Sequence, residues 1–109
     1  MMYETIPVMR LDRWLERGYC GKIIDLRTPG AYRQSHLFSA ENYPYEELME
    51  DPDQAFDRLW DGSPILFYCS RGSESMLVCN LFARRGALVY NLGGGYRFYR
   101  GRYEVRKPH

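Results

Sequence analysis

Residues 65–75 have the sequence ILFYCSRGSES. The first four residues are continuously apolar and follow Pro64, a pattern typical of a short strand that is covered on both faces. The apolar-rich stretch 75–85 then has the length of a helix, and Gly86 follows it as a helix stop. A buried strand that leads through a small polar loop into a helix is the repeating unit of parallel α/β sheets.

The rest of the chain alternates in the same way. Further strands are predicted at 3–6, 23–24, 40–43 and 87–92. Helical patterns end at Gly18, begin at Thr28-Pro29, and cover 46–60 with a break at Pro52. A glycine turn at 93–95 precedes a final helical turn at 96–100. We therefore predict an α/β fold with a mainly parallel sheet, in which ligands bind beyond the carboxyl ends of the strands.

Size and composition narrow the class of protein. The chain has 109 residues and a mass of 12.9 kDa, which predicts one domain over residues 1–109. A net charge of +1 provides no overall field to attract nucleic acid or a membrane. We find no apolar run of membrane-spanning length and no signal peptide after Met1. Three cysteines cannot all pair within the chain, so we predict a cytoplasmic protein with at least one free thiol.

The carboxyl end of the 65–68 strand carries Cys69, followed by a small, polar loop. We call residues 69–75 the Cys69 loop. The unpaired N–H groups of a following helix, and its dipole, favour an anion and a thiolate at this position. Gly72 allows the backbone to turn its amides inward. Such a thiolate needs no separate base, and we expect its sulfur to be ionised and reachable from solvent.

Cys69 also has a simpler interpretation. A lone cysteine at a strand end is more often a small buried hydrophobic residue, and the pattern C-x-x-G is weak by itself. The preceding strand and the following helix favour the chemical interpretation. Two more motifs support it, one on each side of the Cys69 loop. The first comprises Asp25, Arg27, Pro29, Tyr32, His36, Leu37, Ala40, Asn42 and Pro44, and the second comprises Leu92, Gly94, Gly95, Tyr96 and Tyr99.

Together the three motifs resemble the rhodanese-like sulfurtransferases. The family patterns are D-x-R-x-P-x-E-Y-x-x-G-H-I-x-G-A-x-N-x-P, C-x-x-G-x-x-S and L-x-G-G-[FY]-x-x-W, and the chain follows them in order and spacing. The resemblance implies a parallel sheet of about five strands flanked by helices. It implies that Cys69 takes a sulfane sulfur from thiosulfate or a persulfide and passes it to a thiol or protein acceptor, without a metal or organic cofactor. The substrate-binding loop would comprise Ser70, Arg71, Gly72, Ser73 and Glu74, with Ser75 opening the helix.

The chain departs from the family at several positions. Ala31, Ser35, Ser39 and Tyr99 replace residues at supporting positions. Glu74 is different, because many thiosulfate-using members have a basic or neutral residue there. Its carboxylate cancels the charge of Arg71, and at about 5–6 Å it costs a bound anion on the order of 3 kcal/mol per unit charge. We therefore expect a persulfide to be a better donor than thiosulfate.

Two other functions remain as alternatives. A cysteine phosphatase, or a related arsenate reductase, needs a guanidinium in the pattern C-x5-R. Here the sixth residue after Cys69 is Ser75, and Arg71 comes too early. A non-catalytic interaction module is the second alternative, although rhodanese-like binding modules have usually lost the cysteine.

Several other residues have both a functional and a structural interpretation. Asp25 and Arg27 hold substrate or, more simply, form an ion pair at the end of a strand. His36 has no second metal ligand at metal spacing and is interpreted as structural. Cys79 is a resolving thiol or a packed core residue, and we favour the core residue. Cys20 is predicted to be an exposed thiol without a fixed role.

Charge is distributed unevenly along the chain. Acidic residues dominate 46–61 and basic residues dominate from Arg84 onward, as is typical of solvated faces. The resemblance implies that the glycine turn lies near the Cys69 loop. In a second hypothesis, Arg97, Arg100 and Arg102 therefore lie near this loop, because they follow the turn. There they would restore the positive field that Glu74 removes, or bind an acidic partner that carries the acceptor thiol.

Overall fold

The computed structural model describes residues 3–107 as alternating strands and helices. The strands are β1 (Glu4–Ile6), β2 (Lys22–Asp25), β3 (Ser35–Leu37), β4 (Glu41–Asn42), β5 (Ile65–Tyr68), β6 (Val89–Leu92) and β7 (Glu104–Arg106). The helices are α1 (Val8–Glu16), α2 (Pro29–Gln34), α3 (Tyr45–Glu50), α4 (Pro52–Leu59) and α5 (Ser73–Ala83), with a 3-10 turn at Tyr96–Phe98. Among these residues no helix has both the length and the apolar character that crossing a membrane requires.

Five of the strands form one sheet in the order β1-β6-β5-β2-β4, and every neighbouring pair is parallel. The predicted five-strand parallel sheet is therefore confirmed. β5 is the central strand, and all four of its residues are buried. Ile65 and Phe67 pack in the core on one face of the sheet, whereas Leu66 and Tyr68 pack in the core on the other. Burial on both faces explains why this strand has no polar alternation in its sequence.

Helix α5 begins earlier than the sequence pattern predicts. We expected Ser75 to open it, but the helix begins at Ser73, and Gly72 is its N-cap in a left-handed conformation with a φ of 95°. Ser73 and Glu74 are exposed, so the first turn adds no apolar residue to the pattern. The predicted break at Pro52 is confirmed, since the Asp51 carboxylate caps α4 by accepting a hydrogen bond from the Gln54 amide at 3.1 Å.

A second, two-stranded sheet was not predicted. β3 and β7 pair in antiparallel register, with Ser35 opposite Arg106 and Leu37 opposite Glu104. Strand β7 contains two charged residues around an exposed Val105, so its sequence lacks the apolar run that indicates a strand. The pairing holds the end of the described chain beside the segment that follows α2.

The first sequence motif forms a network of structural hydrogen bonds. The Tyr32 hydroxyl donates to the Ala40 carbonyl. The His36 Nδ1–H donates to the Tyr32 carbonyl at 2.8 Å, which confirms the structural interpretation of this histidine. The Asn42 side-chain amide donates to the carbonyls of Asp25 and Arg27 at 2.9 and 3.0 Å. The motif thus joins the end of β2 to the chain that leads into β4.

Tyr68 links the two sheets through its buried hydroxyl. The hydroxyl donates to Asp25 Oδ2 at 2.7 Å and accepts from the Leu37 amide at 3.1 Å. Burial and the charge of Asp25 raise the pKa of Tyr68 far above its usual range, so the hydroxyl stays a donor.

We expect Tyr68→Phe to lower the free energy of unfolding by about 2 kcal/mol, because it leaves the Leu37 amide without its partner and removes one of the hydrogen bonds to the buried Asp25 carboxylate. Tyr43→Phe is the matched control, since Tyr43 is also largely buried but its hydroxyl forms no hydrogen bond within residues 3–107 and is not a buried, unpaired group. It should cost less than about 0.5 kcal/mol. Urea denaturation of both variants measures the difference, and equal losses would contradict this role of Tyr68.

Candidate functional site

The Cys69 loop occupies the carboxyl end of the central strand, as the fold class predicts. β5 ends at Tyr68, and α5 begins at Ser73, so four residues reverse the direction of the chain. The left-handed φ of Gly72 makes this tight turn possible. A β-carbon added at Gly72 would meet other atoms only at 3.6 Å or beyond. The glycine is therefore needed for its backbone conformation and not for space.

Three polar groups surround the sulfur of Cys69. The Gly72 amide donates to Sγ at 3.0 Å and the Ser75 amide donates at 3.4 Å. The Ser75 hydroxyl oxygen lies 3.3 Å from Sγ. The main-chain amides therefore point inward at the sulfur, as the sequence analysis expected. Amides at a helix N-terminus that point at a sulfur favour its anionic form.

The expectation that this sulfur is reachable from solvent is wrong for this conformation. Cys69 is 2% exposed and belongs to the core cluster that contains Ile24, Phe67 and Val78. Its position one residue beyond a fully buried strand explains the burial. Ser70 and Arg71 are exposed, so the outer part of the loop is the layer between the sulfur and solvent.

The glycine turn after β6 packs directly against the Cys69 loop. The Tyr96 amide donates to the Cys69 carbonyl at 2.8 Å, and the Arg97 amide donates to the Ser70 carbonyl at 3.0 Å. Gly95 has a φ of 75°, and a β-carbon there would lie 2.4 Å from the Ser70 carbonyl oxygen. Two distant sequence motifs therefore form a single backbone structure around Cys69.

A cavity of about 300 Å³ opens beside the loop. Ser70 and Glu74 line it from the loop, and Arg27 and Glu46 line it from the other side. Glu46 and Glu74 are both exposed and form no ion pair within the described part of the chain, whereas Arg27 is paired with Asp25. The cavity therefore has a net negative lining.

Asp25 and Arg27 form the ion pair that the simpler interpretation predicted. Arg27 Nη2 lies 2.7 Å from Asp25 Oδ2, and the Asp25 side chain is fully buried. The guanidinium also donates to the Ser35 carbonyl at 2.6 Å and lies 4.2 Å from the centre of the Tyr96 ring. These contacts engage most of the donors of Arg27 in holding the scaffold.

The three arginines after the glycine turn have different surroundings. Arg97 adjoins the loop through its amide, and its exposed guanidinium lies over the Phe98 ring. Arg100 donates to the carbonyls of Arg97 and Tyr99. Arg102 forms an ion pair with Glu16 of α1, which the sequence analysis did not predict. Pairing with a distant helix could not be recognised from its place in the sequence.

The other two cysteines are free thiols with structural surroundings. Cys79 is fully buried on α5, and burial, with the nearby Cys69 sulfur, raises its pKa to about 12. It therefore stays protonated at neutral pH, which supports the core interpretation over a resolving thiol. Cys20 is exposed, as predicted. Over residues 3–107 no group of three or more His, Cys, Asp or Glu side chains has the geometry of a metal site.

Sequence reasoning missed Asn91. This residue lies in β6 and is 1% exposed, and its side-chain carbonyl accepts a hydrogen bond from the Ser75 hydroxyl. The available signal was one polar residue between Tyr90 and Leu92 in an otherwise apolar strand. Its spatial neighbour is 16 residues away along the chain.

The family model of the rhodanese-like domain matches residues 10–101. The chain belongs to the rhodanese-like domain family. Rhodanese-like domains include sulfurtransferases and also phosphatase-like proteins. The match covers all three motifs and therefore confirms the resemblance that they indicate.

Relatives of this rhodanese-like chain share its fold at low sequence identity. An uncharacterised protein of Bacillus subtilis (strain 168), YqhL, is 24% identical over 87 residues, or 79% of this chain; the aligned part is 66% of that relative's length. A rhodanese-like domain protein from Staphylococcus aureus has a TM-score of 0.78 at 19% identity, over 96% of this chain and 99% of the other. Ygr203w from Saccharomyces cerevisiae has a TM-score of 0.72 at 19% identity, over 86% of this chain and 77% of the other. It is described as a homologue of single-domain rhodanese and the Cdc25 phosphatase catalytic domain.

The contact between Gly95 and the loop can be tested with Gly95→Ala. The added methyl group would collide with the Ser70 backbone and push the Cys69 loop away. Gly86→Ala is the matched control, because Gly86 has a φ of 92° and nothing within 4 Å of the added carbon. Both variants place an alanine at a positive φ, and Gly95, whose ψ is −178°, adds strain in a backbone region that glycine alone adopts readily.

We expect Gly95→Ala to lower the free energy of unfolding by about 1–3 kcal/mol more than Gly86→Ala, the usual cost of overpacking. It should also change the rate at which iodoacetamide alkylates Cys69, measured in a Cys20→Ser background. Equal effects of the two substitutions would show that the turn does not hold the loop.

Proposed function

We propose that this rhodanese-like domain is a sulfurtransferase in which Cys69 is the nucleophile that carries the sulfur. The observation that supports this most directly is the pair of amide hydrogen bonds from Gly72 and Ser75 to the Cys69 sulfur. Main-chain donors stabilise an anionic sulfur without a general base. All three cysteines are free thiols, which fits the reducing cytoplasm that we propose as its location.

The reaction consists of two displacements. In the first, the Cys69 thiolate attacks the outer sulfur of a persulfide, R–S–SH. A Cys69–sulfur bond forms, the donor S–S bond breaks, and R–S⁻ leaves. In the second, an acceptor thiolate attacks the outer sulfur of the Cys69 persulfide, takes that sulfur, and releases the Cys69 thiolate. Electrons and atoms balance in both steps, so neither step requires a metal or an oxidant.

The burial of Cys69 adds a condition to this mechanism. At 2% exposure the residue leaves no room for a donor molecule to approach the sulfur. The exposed outer part of the Cys69 loop must therefore move before the first displacement. The hydrogen bonds from Tyr96 and Arg97 hold the carbonyls of Cys69 and Ser70 in place, so we expect the movement to centre on Arg71.

The charge of the cavity supports a persulfide as the preferred donor. Glu74 and Glu46 both line it, and Asp25 neutralises Arg27. Thiosulfate is a dianion, so each carboxylate within several ångströms opposes its binding. A persulfide has at most one negative charge and meets less repulsion. Arg71 and Arg97, both exposed, are the cations that remain to bind an acidic acceptor protein.

A phosphatase is the second candidate because the yeast neighbour is described as a homologue of the Cdc25 phosphatase catalytic domain. Phosphatase chemistry of this type needs an arginine that binds the transferring group. At that position this chain has Ser75, which is fully buried and hydrogen-bonded to the Gly72 carbonyl and Asn91. The geometry therefore favours sulfur transfer.

Intact mass spectrometry after incubation with a low-molecular-weight persulfide tests the proposed function. We expect the Cys20→Ser protein to gain the mass of one sulfur atom, because the thiolate of Cys69 becomes a persulfide. The gain should disappear in Cys20→Ser/Cys69→Ser and should remain in Cys20→Ser/Cys79→Ser, since Cys79 stays protonated.

Three results separate the candidates. A sulfur gain that persists without Cys69 would exclude Cys69 as the carrier. Vanadate-sensitive hydrolysis of a chromogenic phosphate ester would favour the phosphatase. A binding module would show neither reaction, and Cys69→Ser would leave its partner binding intact.

Glu74→Arg tests the choice of donor. We expect kcat/KM for thiosulfate to rise roughly tenfold, because the change removes a nearby negative charge and adds a positive one in a partly screened site. The value for a neutral persulfide should change less than about threefold.

Glu50→Arg makes the same change of charge on α3 but outside the residues that line the cavity. It should leave both donors nearly unaffected. An unchanged thiosulfate kcat/KM in Glu74→Arg would remove the electrostatic argument for a persulfide donor.

A further inference from the structure

The side chain of Asn91 is fixed on both sides within the core. Its Nδ2 donates to the Thr5 hydroxyl at 3.3 Å, on the edge strand β1. Its Oδ1 therefore faces the opposite way and accepts from the Ser75 hydroxyl. Asn91 is 1% exposed and Ser75 is fully buried, so water does not compete for this contact.

The Ser75 hydroxyl has one hydrogen and three neighbours that can accept it. These are Asn91 Oδ1, the Gly72 carbonyl at 3.2 Å and the Cys69 sulfur at 3.3 Å. The Gly72 carbonyl already accepts from the Met76 amide, and the sulfur accepts from two amides. Asn91 Oδ1 has no other donor among residues 3–107, so we assign the hydrogen to Asn91. The Ser75 oxygen then presents lone pairs, and not a hydrogen, to the sulfur.

We propose that Asn91 is a positioning residue for the Cys69 nucleophile, which acts by keeping the Ser75 hydroxyl hydrogen away from the sulfur. The inference rests on the proposed function in one respect, that Cys69 is the reacting group. A thiol can donate to the Ser75 oxygen in this arrangement. A thiolate accepts hydrogen bonds from the Gly72 and Ser75 amides but none from the Ser75 hydroxyl.

This arrangement lowers the fraction of Cys69 that is ionised at neutral pH and raises the reactivity of each thiolate. A thiolate with fewer hydrogen bonds is a stronger nucleophile, because nucleophilicity falls as the anion is stabilised. Once Cys69 is a persulfide, the negative charge lies on the outer sulfur. The inner sulfur is then neutral, so the lone pairs of the Ser75 oxygen do not repel it as they repel a thiolate. Asn91 thus favours the loaded form over the free thiolate.

The other charged or titratable groups around the Cys69 sulfur are the same in the wild type and in variants of Ser75 or Asn91. Arg71 and Glu74 in the loop, and Arg97 in the turn, are exposed. The Cys79 thiol is neutral, and Asp25 on β2 is paired with Arg27. Their fields act equally on the wild type and on variants at positions 75 and 91.

Asn91→Leu removes the acceptor at nearly constant size. The Ser75 hydroxyl can then donate its hydrogen bond to the Cys69 thiolate or to the Gly72 carbonyl. The thiolate is charged and therefore forms the stronger hydrogen bond. In a Cys20→Ser background, we expect the thiolate-to-thiol ratio of Cys69 at neutral pH to rise roughly tenfold. Ultraviolet thiolate absorbance, corrected with Cys69→Ser, measures the ratio. At alkaline pH, where all of the Cys69 is ionised, alkylation should slow about threefold.

Ser75→Ala tests independently whether the Ser75 hydroxyl lowers or raises the thiolate-to-thiol ratio of Cys69. This variant should fold even where Asn91→Leu does not, because it removes only one oxygen atom. We expect the thiolate-to-thiol ratio to rise, since lone pairs are removed from beside the sulfur. Asn91→Leu should have no further effect in the Ser75→Ala protein. A purely structural Asn91 would act equally with and without the Ser75 hydroxyl.

Two results would overturn the inference. A lower thiolate ratio in Ser75→Ala would mean that the hydroxyl donates to the sulfur. An equal effect of Asn91→Leu in both backgrounds would mean that Asn91 does not act through Ser75. The absorbance needs no sulfur donor, so a failure of sulfur transfer, seen by mass spectrometry, is a separate result.

Discussion

The two main-chain amides that point at the Cys69 sulfur depend on a constraint in the backbone. The central strand β5 delivers Cys69 to the edge of the sheet, and helix α5 must begin only four residues later. The chain achieves this because Gly72 adopts a left-handed conformation that other residues avoid. The first turn of α5 then has free N–H groups beside the sulfur. Any residue with a β-carbon at this position would strain the turn and redirect those amides.

The turn at Gly93–Gly95 completes this structure from the other side. The amides of Tyr96 and Arg97, which follow it, donate to the carbonyls of Cys69 and Ser70. The loop is therefore held by hydrogen bonds on one side and by the core on the other. Because the loop is held in place, Cys69 can be buried while the Gly72 and Ser75 amides still point at its sulfur. A buried anion needs donors that are already in place, because the surrounding side chains cannot solvate it.

The first motif contributes charge balance as well as scaffolding. Asp25 is fully buried and pairs with Arg27, while Tyr68 donates to the same carboxylate. A cation that would otherwise face the cavity is thereby neutralised. The cavity takes its charge from Glu46 and Glu74 instead. A structural network formed around Asp25 thus influences the charge of the cavity beside the Cys69 loop.

The sequence by itself determined the architecture and the family. The apolar run of β5 and the glycines and prolines that end each segment are local signals, so they predicted the parallel sheet, the break at Pro52 and the place of Cys69. The three motifs gave the rhodanese-like family because their spacing reflects one backbone path. The start of α5 was misplaced because Ser73 and Glu74 face solvent and add no apolar periodicity.

Only the tertiary structure decided the features that depend on distant contacts. β7 is charged and becomes a strand only by pairing with β3. The burial of Cys69 depends on the turn that packs on its loop from more than 20 residues further along the chain. The hydrogen bond between Ser75 and Asn91 and the ion pair between Arg102 and Glu16 join residues that are distant in the sequence. No local pattern records such contacts, because each pair is brought together by the packing of the whole sheet.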